Sequence, residues 1–305
     1  MKKILSRATL LALGTALISG FSNFLSKTAV TAVKDPIIFT TLKNSAVALF
    51  LIGLYFVLKR WPEIKALTKK QVIQLGAIGL IGGSIPFALF FTGLSMTSAL
   101  NGALIHKTLF LWVLLFAIPL LKERVTRWQM VGVLVIFAGN IVIGGFAGFK
   151  YNVGELMILG ATILWAIENI IAKVVLRELS SLTVASARMV LGSFVLLGFT
   201  YFRSGFAPIF SLSGTQWGWT LLLSAFLAGY VLTWYSALKL APATYVAILL
   251  VPATLVTNAL SAIFITHAYT LTDALSAGLF LLGIGLVTVF ARDAAEQPTP
   301  ASVAI

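Results

Sequence analysis

Apolar runs of about 20 residues recur from one end of this chain to the other, the length a helix needs to cross a hydrocarbon core of about 30 Å. Lipid offers backbone N–H and C=O groups no partner, so only helices and closed barrels span it. The strict alternation of barrel strands is absent from the sequence. The expected fold class is therefore all-α, a polytopic membrane protein. Composition agrees: 59% of the 305 residues are hydrophobic and 10% are charged, against roughly a quarter charged in a soluble domain. Gly and Pro occur inside the runs, where membrane helices tolerate them. Ten transmembrane helices are expected, at 8–30, 37–58, 72–95, 100–121, 128–146, 153–176, 183–203, 216–238, 243–265 and 272–291.

A net charge of +13 invites a nucleic-acid reading, but the distribution of the cations argues against it. With the N-terminus inside, the cytoplasmic segments carry fourteen Lys and Arg residues, from Lys2, Lys3 and Arg7 through the loops at 59–70 and 122–127 to Arg292. The outer segments carry only Lys34, Lys150 and Arg203. This asymmetry is the positive-inside rule. It predicts a multi-pass protein of the cell membrane with both termini cytoplasmic. The basic start before an apolar stretch looks like a signal peptide, but the stretch continues to about Val30 without a small-x-small cleavage pattern, so a retained helix is expected. The chain has no Cys, which excludes disulfides, thiolate catalysis and thiolate metal sites.

The sequence repeats itself. Gly14 to Lys27 reads GTALISGFSNFLSK and Gly160 to Lys173 reads GATILWAIENIIAK, aligning Gly14 with Gly160, Asn23 with Asn169 and Lys27 with Lys173. The next run in each half has a cation near its start, Lys43 and Arg188, and a polar or Pro-containing turn follows the third run of each, at Ser98 and Asn101 and at Ala241 and Pro242. The expected division is a first repeat at 1–148, a second at 149–291 and a disordered cytoplasmic tail at 292–305. Five spans is an odd number, so the second copy must insert upside down, giving two inverted five-helix repeats about an axis in the membrane plane. Gly79 with Gly83, and Gly144 with Gly148, suit close helix packing. Pro86 and Pro252 each delete a backbone hydrogen bond and should kink their spans.

With ten spans in two halves, the chain resembles the EamA family of the drug/metabolite transporter superfamily over about residues 8 to 291. The most specific segment is LLKERVTRWQMVGVLVIFAGNIVI, Leu120 to Ile143, with an acid closing span four, a short basic loop and a Gly-containing span five. Glu123, Gly132 and Gly139 stand at the family's positions. In the equivalent FITHAYTLTDALSAGLFLLGIGLV, His267 replaces the usual Glu while Gly283 matches Gly139. The resemblance implies a transporter of small organic metabolites. The family moves amino acids, nucleobase-like compounds and drugs, so it does not specify the substrate.

Ionisable side chains within spans cost about 2.5–3.5 kcal/mol each at the bilayer centre and tend to face a bundle interior or a wet cavity. Lys27 and Lys173 lie near span ends and can snorkel. Lys43 and Arg188 lie deeper, and His106 and Lys107 near the middle of span four. Glu168 is the one deep acid; it can pair with Lys107, Lys43 or Arg188, carry a proton, or bind a substrate amine. His106 is the second proton-coupling candidate. Trp165 shares a helical face with Glu168, and Asn23 and Asn169 can line the same cavity. Asn44, Asn101, Asn140 and Asn258 suit interhelical hydrogen bonds. Trp112, Trp234, Tyr235 and Tyr245 can stack on a ring or serve as packing and interfacial anchors.

Five deep cations against one carboxylate predict an electropositive site, suited to anionic or zwitterionic substrates such as amino acids. The candidate substrate-binding residues are Lys107, Glu168, Lys43, Arg188, Asn23, Asn169 and Trp165. A passive channel-like uniporter is the alternative. A membrane-embedded enzyme is disfavoured, because HExxH and paired intramembrane acids are missing, and no GxxxxGK[ST] loop supports an ATP-driven pump. No cofactor or metal is expected. The expected partners are a small-molecule substrate and the lipid bilayer, not nucleic acid, with a homodimer left open.

Overall fold

The computed structural model describes residues 2–142 and 151–296. Every regular element among them is a helix. The first half comprises α1 (Lys2–Val33), α2 (Pro36–Val57), the short α3 (Trp61–Lys65), α4 (Lys69–Gly83), α5 (Ile85–Met96), α6 (Ala99–Lys107), α7 (Leu109–Leu121) and α8 (Arg127–Val142). The second comprises α9 (Val153–Val175), α10 (Ser181–Ser204), the single turn α11 (Ala207–Phe210), α12 (Gly214–Leu240), α13 (Ala243–Ile248) and α14 (Ala253–Ser261). A π-helical turn at Ala262–Thr266 and α15 (Leu271–Glu296) complete it.

Nine helical units among the described residues are long and apolar enough to cross a bilayer. Where the fifth span was expected, the apolar helix covers Arg127–Gly139 and is too short to meet that measure. The expected continuation at 143–146, together with Gly144, Gly148 and the tail at 297–305, lies outside the described residues. The last helix extends to Glu296, past the boundary expected at 291.

Side-chain caps fix where the helices begin. Asp35 accepts from the amides of Ile37 and Ile38 ahead of Pro36. Thr68 with Gln71, and Ser213 with Gln216, form reciprocal capping boxes on α4 and α12.

Three expected spans are broken at depth, two of them at the anticipated prolines. Span three divides into α4 and α5 at Ser84, with Pro86 in the first turn of α5. Pro86 has no N–H for the Gly82 carbonyl four residues back. The Trp165 indole N–H donates to that carbonyl at 2.9 Å instead, and the Asn44 amide donates to the Gly83 carbonyl at 3.0 Å. Span nine divides between α13 and α14 ahead of Pro252. Span four, expected as one continuous helix, is interrupted at Thr108, whose hydroxyl donates back to the Ile105 carbonyl at 2.7 Å. No proline marks that site; the hydroxyl competes for a backbone carbonyl and loosens the turn.

Packing partners recur five spans apart. α1 lies against α12 and α14, as α9 lies against α5 and α7; α2 packs on α12, as α10 packs on α4. α2 meets α10 and α8 meets α15, each against its own counterpart. With lipid as apolar as Leu, these contacts depend on close approach. A Cβ on Gly83 would collide with the Arg188 carbonyl, and one on Gly192 with the Gly83 backbone. On the other flank, Cβ atoms at Gly132 and Gly283 would each lie within 3 Å of the other's carbonyl. The repeat-matched pair Gly14 and Gly160 makes no such close approach.

Candidate functional site

α1, α2, α5, α6, α7, α9, α10 and α12 line a central cavity of about 70 Å³, taken as the room it gives to water centres and enough for a few waters. α1 contributes Ser19, Ser22, Asn23 and Ser26, a polar stripe at i, i+3, i+4 and i+7 on an apolar helix. α5 contributes Phe87, Phe90 and Phe91, and α12 contributes Leu227, Tyr230 and Trp234. Of the residues singled out from sequence, Lys43, His106, Trp165, Glu168, Asn169, Arg188, Asn23 and Trp234 line the cavity.

Tyr235 organises the charges. Its hydroxyl donates to the Glu168 carboxylate and accepts from the Arg188 guanidinium at 3.3 Å. Glu168 and Arg188 are 1% and 4% exposed, yet no ion pair joins them among the described residues. The Arg188 Nε is buried without a hydrogen-bond partner. Gly82 gives both side chains their room, because a Cβ there would lie 3.0 Å from the Glu168 carboxyl carbon and 3.4 Å from the Arg188 Nε.

The Lys43 ammonium sits 3.8 Å from the centre of the Phe91 ring and 4.9 Å from that of Phe87, with Phe39 at 5.5 Å. Among the described residues it has no acid in ion-pair range. Three aromatic faces supply the cation–π stabilisation that a buried ammonium lacking a carboxylate needs. His106 is held between the Phe90 and Trp165 rings at 5.1 Å, its Nδ1 unpartnered.

Lys107 departs from expectation. It is 2% exposed, but it does not line the cavity; its ammonium donates to the Ser19 hydroxyl at 3.2 Å. The break at Thr108 follows it directly, and on α6 the adjacent His106 takes the cavity-facing position. Glu168 pairs with none of the three cations anticipated and takes the Tyr235 hydroxyl instead. Asn169 accepts from the Trp234 indole at 2.9 Å, while the Asn23 amide nitrogen is buried without a partner.

Lys27 and Lys173, expected to snorkel, turn into the protein. Lys27 donates to the carbonyls of Leu94 and Thr97, and Lys173 to those of Leu238 and Ala241. Each closes the C-terminal end of the third span of its own half. Asn101 donates to Glu155, Asn258 to Asp273 and Trp112 to Thr108, and Tyr245 meets the Thr9 hydroxyl. All four contacts lie away from the cavity lining. The side chain of Asn140 lies outside the described residues.

Glu123 accepts from the amides of Ala243 and Thr244 and from the Thr244 hydroxyl at 2.7–2.9 Å. It caps α13, whose own N-cap residue, Pro242, has no side-chain acceptor. In the other half Ser98 caps α6 itself.

The model of the EamA-like transporter family matches this chain twice, over residues 6–145 and 152–289. The chain belongs to the EamA-like transporter family. It is therefore a multi-pass membrane protein of a transporter family. An uncharacterized transporter of Bacillus subtilis, YyaM, is 29% identical over 55% of this EamA-like chain and 56% of its own length. One from Archaeoglobus fulgidus is 27% identical over 73% of this chain and 80% of its own. The match thus spans about half of the Bacillus relative and most of the archaeal one. A crystal structure at 20% identity aligns with a TM-score of 0.76 over 96% of this chain and 99% of its own, a likeness of fold.

Proposed function

We propose that this EamA-like transporter moves small anionic or zwitterionic metabolites, amino acids among them, by alternating access. One observation carries the reading: two buried cations, Arg188 and Lys43, line one cavity without an acid in ion-pair range among the described residues, and the one carboxylate there is held by Tyr235. Buried charge without an opposite charge is costly. A substrate carboxylate between Arg188 and Lys43 relieves that cost, and Glu168 is placed to receive a substrate amine or a proton. His106 and Glu168 are the residues proposed to couple transport to protons.

Ten spans, two inverted halves at 1–148 and 149–291, and cytoplasmic termini in the cell membrane belong to the same proposal. It is supported by packing partners five spans apart, by the matched lysine contacts of Lys27 and Lys173, and by breaks at Thr108 and Pro252. The break at Thr108 falls between His106 and Leu109, both of which line the cavity, and a discontinuous helix there is the form expected of a transporter hinge. The test is uptake of labelled amino acids and small carboxylates into vesicles bearing the purified protein, with and without a pH gradient. Arg188→Gln should lower uptake of carboxylates about tenfold or more, from the loss of a charged hydrogen bond. Uptake confined to organic cations, or carboxylate uptake unchanged in Arg188→Gln, would exclude the reading.

A further inference from the structure

A groove larger than the central cavity faces the lipid. Measured in the same way it holds about 410 Å³. It is walled by α2, α3, α4 and the first half of α10, with Phe56, Trp61, Val72, Leu75, Ala187 and Leu191 among its lining. Along α10 it runs from Thr183 to Leu191, about 12 Å at a rise of 1.5 Å per residue. The Trp61 ring stacks on Phe56 at 5.7 Å and so stands at the groove's loop end.

That loop is cationic. Lys59, Arg60, Lys65, Lys69 and Lys70 are all exposed, and among the described residues none forms an ion pair. Two nearby acids are committed elsewhere. Glu63 accepts from the Ser180 amide and hydroxyl at 2.7 and 2.9 Å, and Glu178 accepts from the Gln71 amide at 2.6 Å. Burial alone would raise the Glu63 carboxyl, but the Ser180 hydrogen bonds, with Thr183 and the charge of Arg60 adding to them, hold the group below its ordinary value, as an anion tied to α10. The same two contacts fasten α3 and α4 to the start of α10, so the groove walls are fixed to one another. The positive-inside rule accounts for the lysines; it does not account for an acyl-sized apolar groove opening among them.

We propose that this groove is a binding site for one anionic phospholipid, an acyl chain lying along α10 and the phosphate held by the lysines of the 59–70 loop. A basic cluster at a membrane face attracts acidic headgroups, each cation contributing about a fivefold preference. A zwitterionic lipid would fit the groove but gain little from the loop, and inorganic phosphate would gain nothing from the groove.

The experiment uses the full chain, stripped of lipid in detergent and then given phosphatidylglycerol, phosphatidylcholine of the same chains, or inorganic phosphate. The readouts are thermal unfolding and the lipid retained by native mass spectrometry. Phosphatidylglycerol should raise the unfolding temperature and stay bound, while the other two do neither. The combined Lys65→Gln, Lys69→Gln and Lys70→Gln variant should lose retained phosphatidylglycerol about fivefold per charge removed. Val72→Trp, which fills the groove from its exposed edge, should lose it with the loop charges intact. Equal protection by phosphatidylcholine, or retention undiminished in the charge variant, overturns the proposal. The three lysines are exposed, so the charge variant decides the matter even if Val72→Trp folds poorly.

Discussion

Glu168 and Arg188 are joined through a third residue, and this decides which substitutions matter. A direct buried ion pair would be broken by changing either partner; here the Tyr235 hydroxyl donates to one and accepts from the other. Tyr235→Phe keeps the ring and strips both contacts. It should cost about 1–3 kcal/mol by leaving a buried carboxylate without its donor, and should abolish uptake. Unchanged thermal unfolding and unchanged uptake would remove Tyr235 from the site. Gly82 is the second sensitive position. Gly82→Ala places a methyl group against Glu168 and Arg188, so uptake should fall further than a modest loss of stability explains. Gly14→Ala is the control: nothing lies within 4 Å of its Cβ position, and replacing a helical glycine should stabilise by roughly 0.5–1 kcal/mol. Equal effects of the two alanines in a paired uptake and unfolding assay would rule out a crowded Gly82.

Helix ends and breaks carry the next level of organisation. A membrane helix that stops at depth leaves carbonyls that lipid cannot satisfy, and at the break beside Pro86 neighbouring side chains supply the missing donors. Trp165 and Asn44 serve the Pro86 break, and this ties the cavity wall to α4 and α5. Lys27 and Lys173 perform the same service where α5 and α12 end, with the cation also suited to the negative end of a helix dipole. Lys27→Met and Lys173→Met keep the alkyl bulk and remove the donors. Each should destabilise by roughly 1.5–3 kcal/mol, lowering the unfolding temperature by similar amounts. Loss in one half alone would show that the two contacts are not equivalent.

For the protein as a whole, the charge asymmetry and the five-span periodicity of packing bear on orientation. The chain has no Cys, so single cysteines can be introduced without background. Cysteines at Lys34 and Lys150 should react with an impermeant maleimide only from outside intact cells, and those at Lys70 and Lys239 only after the membrane is opened. Labelling of Lys70 and Lys150 from the same side would reject the inverted arrangement. The central cavity gives about 70 Å³ of room to water centres. Of the broken helices, α5, α6 and α7 contribute to its lining, through Phe87, Phe90 and Phe91, His106 and Leu109.

Apolar run length was enough to establish an all-helical membrane protein and to locate nine of the spans, because the bilayer thickness sets helix length independently of neighbours. The segment from Leu120 to Ile143 carried the family likeness, and Pro86 and Pro252 announced their breaks, since a missing N–H is a local property. Much of the site was legible too. Lys43, Glu168 and Arg188 stood out by their cost at depth, and the Ser19, Ser22, Asn23 and Ser26 stripe was readable by periodicity though not singled out. The relations among these side chains were not legible. Lys107 and His106 are adjacent in sequence, yet one stays out of the lining and donates to the cavity-lining Ser19 while the other lines the cavity itself. Which one faces inward is set by how α6 packs on α9 and α1. The lack of an ion pair at Glu168 among the described residues, the aromatic enclosure of Lys43 and the capping of α13 by Glu123 follow the same rule. Burial cost is a property of one residue and its depth, whereas a partner is supplied by helices distant in the chain, so only their tertiary packing decides it.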